Sequence, residues 1–324
     1  MNRLRAYRDI ESLNQQELGE ILGISPQMVS AIESGRRSFT GDLSVLGYAS
    51  ERLALPDMSE PLHRHRASTS AQAKKRAHEL LRLAGEVFGE LRNRTDRAPD
   101  LLLERHAAPT SLEDLEELAI ETRCTLGHEE GGPIQNLTTA VERAGVCIVP
   151  MPGLPGIDGL SSWVGEVPVI GVAPSVPGDR FRHTLSHELG HLQFHSKKSS
   201  STEAEANRFA GALLFPQDEF DAAMPDRPNL RDFVALKSSW GVSVAALVYR
   251  AHELEYLDDA RYRALQIQMA KWRKSEPGTF EPARGHLFGR LIEVNGGPTG
   301  VASDLGVNVG HVNALLNWSH LRVA

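Results

Sequence analysis

The stretch HTLSHELGHLQFH, residues 183–195, decides how the chain is read. His187 and His191 stand four apart, and on a helix such a pair projects from one face. Both imidazoles can then reach a single cation at about 2.0–2.1 Å. Glu188 lies beside them, able to accept a proton from water whose pKa a bound zinc ion lowers to about 7. The spacing predicts a catalytic Zn2+ site, since two imidazoles plus one carboxylate suit that ion. His183 and His195 extend the stripe, but four histidines span about 18 Å of helix and cannot share one ion. His195 reads as an outer partner of the ligands or a helix-end residue, and His183 as packed or solvated.

A site of this kind needs a third protein ligand and one open position. The segment STEAEANRFA, residues 201–210, follows after a polar loop. Ala206, Phe209, Ala210, Leu213 and Leu214 keep the i, i+3, i+4, i+7, i+8 pattern of a helix packed against a core. Glu203 precedes Ala206 by three, near the buried edge, and is the expected third ligand. Glu205 lies about 200° around the helix from it and is the solvated alternative. Asn207, four after Glu203, reads as orienting Glu203 or a histidine. A small residue at Ala206 lets the two helices approach closely.

Working outward, the chain has 324 residues, 41% hydrophobic and 24% charged, which excludes a mainly disordered protein and suggests two or three domains. Cys124 and Cys147 are too few for a disulfide framework or a four-cysteine metal site. The charged start MNRLRAYRDIESL lacks a secretory core, and no window approaches 18 uninterrupted apolar residues, so a cytoplasmic protein with no membrane partner is expected. The net charge of −7 is uneven: residues 1–94 carry 14 Lys and Arg against 12 Asp and Glu, so a local basic face for DNA is permitted there and not elsewhere.

In residues 2–55, Asn14 caps a helix whose apolar stripe is Leu18, Ile21 and Leu22, and Gly23 ends it. Ser25 caps a second helix with Pro26 in its first turn and Val29 and Ile32 inward. The connectors read as 56–68 and 95–110, flanking a long mixed-charge helix over 69–94. Thr110 or Ser111 caps a helix ending near Gly127, and Pro133 starts another. VCIVP (146–150), LSSWV (160–164) and PVIGVA (168–173) read as strands. If PVIGVA is an edge strand above the metal, an extended peptide adds to it at Ile170 by main-chain hydrogen bonds. The later segments 236–251 and 301–316 also read helix–turn–helix, but in acidic or neutral surroundings, and are taken as packed hairpins.

Two resemblances follow from these residues. HTLSHELGHLQFH with EAEANRFAGALLFP, GIDGLSSW, PVIGVAPSVPGDR and WGVSVAALVYRAHEL resembles the ImmA/IrrE family of metallopeptidases over roughly residues 111–275. The resemblance implies a zincin-like fold with a small sheet, His187, His191 and Glu203 as zinc ligands, and Glu188 as general base. It also implies a regulatory protease that cleaves helix-turn-helix repressors at one site. His183 stands where that family more often has an apolar residue. QQELGEILGISPQMVSAIESGRR resembles an XRE-type, lambda-repressor-like helix-turn-helix. That implies a second helix in the major groove, with Ser25, Gln27, Met28 and Ser30 as base-edge or phosphate contacts. Gln16 is placed on phosphate, and Arg36 and Arg37 supply backbone attraction. Gly19 stands where that class usually has alanine.

The expected architecture is α+β and mostly helical. It has an all-α helix-turn-helix domain at 1–58, a basic helical linker at 59–110, a metallopeptidase domain with a small sheet at 111–227, and a C-terminal helical domain at 228–324. The expected partners are operator DNA, a repressor-type or toxin-type protein, and a second copy in a homodimer. The competing reading is a non-catalytic repressor or antitoxin that uses the peptidase-like domain as a sensor or partner-binding platform.

Overall fold

The computed structural model describes residues 2–65, 69–96, 98–151, 156–272 and 276–318. The first helices are α1 (Arg3–Glu11), α2 (Gln15–Leu22) and α3 (Pro26–Glu33), followed by strand β1 (Leu62–His65), α4 (Ala71–Arg94), α5 (Leu112–Thr125) and α6 (Leu137–Arg143). Strands β2 (Cys147–Pro150), β3 (Ile157–Val164) and β4 (Val167–Val172) come next. Then come α7 (Gly178–Phe194), α8 (Thr202–Leu214), α9 (Gln217–Ala223), α10 (Leu230–Trp240), α11 (Val244–Glu253), α12 (Asp259–Met269), α13 (Leu287–Val294), α14 (Gly297–Leu305) and α15 (Val309–Leu316). The mostly helical character and small sheet agree with the expected α+β class.

The chain divides into two compact units, and both are discontinuous. The first comprises Met1–Pro99, Val146–Pro174 and Gly285–Ala324; the second comprises Asp100–Gly145 and Ser175–Arg284. These units cut across the expected boundaries at 58, 110 and 227. The stretch 59–110 is not a linker, because α4 buries Ala77, Leu80, Leu81, Leu83, Ala84, Val87, Phe88 and Leu91. Nor is 228–324 one body, because α13–α15 share a core with α1–α4 and the sheet.

In the first unit the caps are those the sequence predicts. The Asn14 side chain accepts from the Gln16 and Glu17 amides while Glu17 bonds back, Gly23 is left-handed, and Ser25 accepts from the Met28 amide ahead of Pro26. Leu18, Val29 and Ile32 are buried, but Ile21 is 44% exposed and does not belong to the stripe. Gly19 is more than a tolerated alanine substitute: a Cβ there would lie 2.6 Å from the Ile24 carbonyl oxygen. The turn between α2 and α3 folds back too closely for any side chain.

The sheet order is β1-β3-β4-β2, with β1–β3 and β3–β4 antiparallel and β4–β2 parallel. β4 is therefore interior: Ile170 pairs with Ser161 on one side and Ile148 on the other. This overturns PVIGVA as an edge strand, since its main-chain groups are already committed and cannot take up a peptide. β1 lies in the presumed connector 56–68 and forms by pairing to β3. Helix α4 seats on the sheet at Gly85, where a Cβ would come within 2.5 Å of Val164 Cβ.

The C-terminal hairpin repeats the local geometry of α2–turn–α3. Gly306 is left-handed, Asn308 caps α15, and Val307 N–H donates to Ala302 O at 3.0 Å as Ile24 N–H donates to Gly19 O at 2.9 Å. This second turn is spent on packing, as expected for a hairpin. Ala49 N–H donates to Gly306 O at 3.0 Å, and the Asn308 amide donates to Leu46 O at 2.7 Å. His311, on α15 and buried, hydrogen-bonds the Tyr48 hydroxyl at 2.7 Å and Glu11 at 2.6 Å.

In the second unit, α8 packs against α7, α5 and α11. Ser111 caps α5 in a reciprocal box with Asp114, and α6 begins at Leu137 behind an Asn136 cap rather than at Pro133. Main-chain and side-chain donors of Thr110 and Ser111 hold the Asp114 carboxyl down at about 2. A carboxylate depressed in the folded state stabilises above its unfolded pKa of about 3.9, and that stability is lost as pH falls through the folded value. Asp114→Asn is therefore expected to lower the unfolding midpoint at pH 6 and to converge with the parent as pH falls from about 4 to about 2. Parallel denaturant titrations across that window check this; a gap independent of pH would refute it.

Candidate metal centre

Helix α7 is buried along nearly its whole length, because Phe181, Leu185, Leu189 and Leu192 pack inward. This brings His187, Glu188 and His191 out of water as well. Gly190 lets α8 approach closely: a Cβ there would meet the Phe209 ring at 2.9 Å. Ala206 is fully buried, in keeping with its expected role as a small residue between the helices.

Across that contact Glu203 faces both imidazoles. Its Oε2 stands 3.5 Å from His187 Nε2 and its Oε1 stands 3.8 Å from His191 Nε2. The donor atoms of His187, His191 and Glu203 lie within 4.8 Å of one another, a separation that suits a shared cation. His187 Nε2 is buried and makes no hydrogen bond, as a nitrogen reserved for an ion would be. The residues present fit a divalent metal on this ground and on their chemistry. Glu188, next along the helix, is fully buried.

The far sides of the rings are also held. His187 Nδ1 lies 3.1 Å from Asn207 Oδ1, so that nitrogen donates and Nε2 keeps its lone pair. Asn207 thus meets a histidine, one of its two expected targets. His195 is the residue at which the chain leaves α7, with φ −112° and ψ 116°. Its Nδ1 is 2.9 Å from His191 Nδ1, and its Nε2 is 2.7 Å from Glu205 Oε2. Burial lowers the His195 pKa despite the nearby Glu205 carboxylate. Glu205, expected to be solvated, instead anchors this chain; helical angles alone missed it because His195 steps off the helix to reach it. His183 stacks on His187 with ring centroids 6.4 Å apart.

In the N-terminal module, Gln16, Ser25, Gln27, Arg36 and Arg37 are exposed, and Met28 and Ser30 are partly so. Several of these groups have local bonds. Ser25 oxygen caps α3, Gln16 reaches Glu20 at 3.1 Å, Arg36 donates to Ser34 Oγ at 2.9 Å, and Arg37 lies 3.8 Å from Met28 sulfur. Gln27 extends from the first turn of α3 with no such tie among the described contacts. Among the described residues no helix is long and apolar enough to cross a membrane.

Comparison with known families matches residues 141–252 to the IrrE N-terminal-like domain of the M78 peptidases. Residues 4–45 match a helix-turn-helix family. No curated protein matches the chain.

Proposed function

We propose that this chain, in which a helix-turn-helix DNA-binding domain precedes an IrrE N-terminal-like peptidase domain, is a zinc-dependent regulatory protease that controls transcription by cleaving one repressor or partner protein. The observation that carries the reading is the convergence of His187, His191 and Glu203, with the fully buried Glu188 next to His187 along α7. Two imidazoles and a carboxylate would hold Zn2+. When bound, the ion supplies Lewis-acid activation of water and of the scissile carbonyl. Glu188 takes a proton from the attacking water and returns it to the departing amine. Asn207 and His195 hold the Nδ1 atoms of His187 and His191, which would leave both Nε2 atoms for the ion.

The N-terminal module would carry this chemistry to an operator. Gln27, Met28 and Ser30 would meet base edges, with Ser25 and Gln16 against the backbone and Arg36 and Arg37 supplying salt-dependent attraction. A cytoplasmic homodimer on paired half-sites fits such a module.

The purified chain is expected to hold about one zinc, and Glu203→Ala to hold far less. In cells, terminal-peptide profiling is expected to reveal a new N-terminus in one repressor-type protein that depends on the parent chain and vanishes with Glu203→Ala. A zinc-loaded chain that generates no such terminus overturns the protease and favours the non-catalytic regulator or antitoxin.

A further inference from the structure

We propose that Glu205 is a positioning residue which, through His195, fixes the tautomer in which His191 can bind a metal. The inference rests on the reading of His187, His191 and Glu203 as a metal centre, and it adds a residue outside that trio.

The argument is one of hydrogen-bond direction. A carboxylate only accepts, so the 2.7 Å contact between Glu205 Oε2 and His195 Nε2 requires a proton on that nitrogen. A neutral His195 then presents a bare Nδ1. The 2.9 Å contact between the two Nδ1 atoms therefore needs the proton on His191. With its Nδ1 protonated, neutral His191 has its lone pair at Nε2, the atom that faces Glu203 at 3.8 Å. Reversing the chain would place a proton at that nitrogen and remove it as a ligand. His195 and His191 are 4% and 0% exposed at the side chain, so water has little access to substitute for either bond. Glu205, 24% exposed, is the end of the chain that faces solvent.

The same outcome at His187 is reached in one step through Asn207. The two routes differ in strictness. An amide can present oxygen or nitrogen, whereas a carboxylate has a single sense. Glu205 therefore sets a direction that a glutamine there would only permit.

The test is a series at position 205 in the full chain. Zinc affinity is measured by competition with a chelator, and the protonated nitrogen of His191 is read by histidine 15N NMR on the metal-free chain. Glu205→Ala is expected to weaken zinc binding by about 10–100-fold, with Glu205→Gln between it and the parent. The metal-free parent is expected to hold His191 protonated at Nδ1 and the alanine variant to show mixed tautomers, with unchanged melting temperature. Parent-like zinc affinity in Glu205→Ala, or a metal-free parent protonated at His191 Nε2, overturns the proposal. So does a loss of affinity accompanied by an equal loss of metal-free stability. A parent chain that takes up no zinc rejects the metal centre instead, and the tautomer measurement still decides the role of Glu205.

Discussion

Glu188→Gln is expected to slow cleavage by about 10²–10⁴-fold while leaving zinc content and operator affinity unchanged. The size follows from what the substitution removes. Glutamine keeps the length and shape of the side chain but cannot take a proton from water or deliver one to the leaving amine. The position is fully buried on α7, and a neutral amide is less costly to bury than a carboxylate, so folding should survive. Glu188 is not among the three converging donors, so the zinc content should hold. By contrast, His191→Ala should lose zinc and activity together. The measurement is kcat/KM on the identified cleavage segment, with zinc analysis and DNA titration on the same preparations. An amide variant that cleaves at the parent rate would remove Glu188 from the chemistry and require another group to take the proton from water.

The contrast between what is local and what is distant explains which features were legible in advance. The His187–His191 pair, the Glu203 register and the Asn14 and Ser25 caps all rest on angles within one helix or on a single turn, and such angles follow from the residues themselves. The outer hydrogen bond of His195 depends on the direction in which the chain leaves α7, which helical spacing does not contain. The same holds for β1, whose Leu-His-Arg-His run has no alternation of its own and becomes a strand by pairing with β3. α4, a mixed-charge helix by sequence, lies within the stretch 59–110 that reads as a basic helical linker, yet the surfaces that bury its apolar side come from α1, from strands β2, β3 and β4, and from α13 and α15 much later in the sequence. PVIGVA has the composition of a strand, but nothing in six residues says whether neighbours lie on one side or both.

Arg123→Met is expected to lower the stability of the second unit by at least about 3 kcal/mol, beyond the usual range for a point substitution. Arg123 is almost wholly buried on α5 and bonds carbonyl oxygens in place of a carboxylate. Its Nε donates to Glu129 O at 3.1 Å, Nη1 to Leu213 O at 2.8 Å, and Nη2 to Gly131 O at 2.7 Å and to Gly132 O. Burial lowers its pKa, and Glu219 offsets part of that effect. Methionine fills much of the volume but donates nothing, so four carbonyls lose their donor at once. Each buried acceptor left unpaired costs about 1–3 kcal/mol, and rehydration of the outer ones recovers some of the total. Arg123→Lys should recover less than half of the loss, since one ammonium cannot reproduce the planar fork. Leu213 lies in the last turn of α8, the helix that carries Glu203 in its first turn, yet Arg123 touches none of the converging donors. The loss measured by urea denaturation should therefore be the same with zinc bound and with zinc chelated. A Met variant within 1 kcal/mol of its parent would mean that the segment 129–132 is held to α8 by its other contacts, and a loss confined to the zinc-bound form would place Arg123 in the support of the metal centre instead.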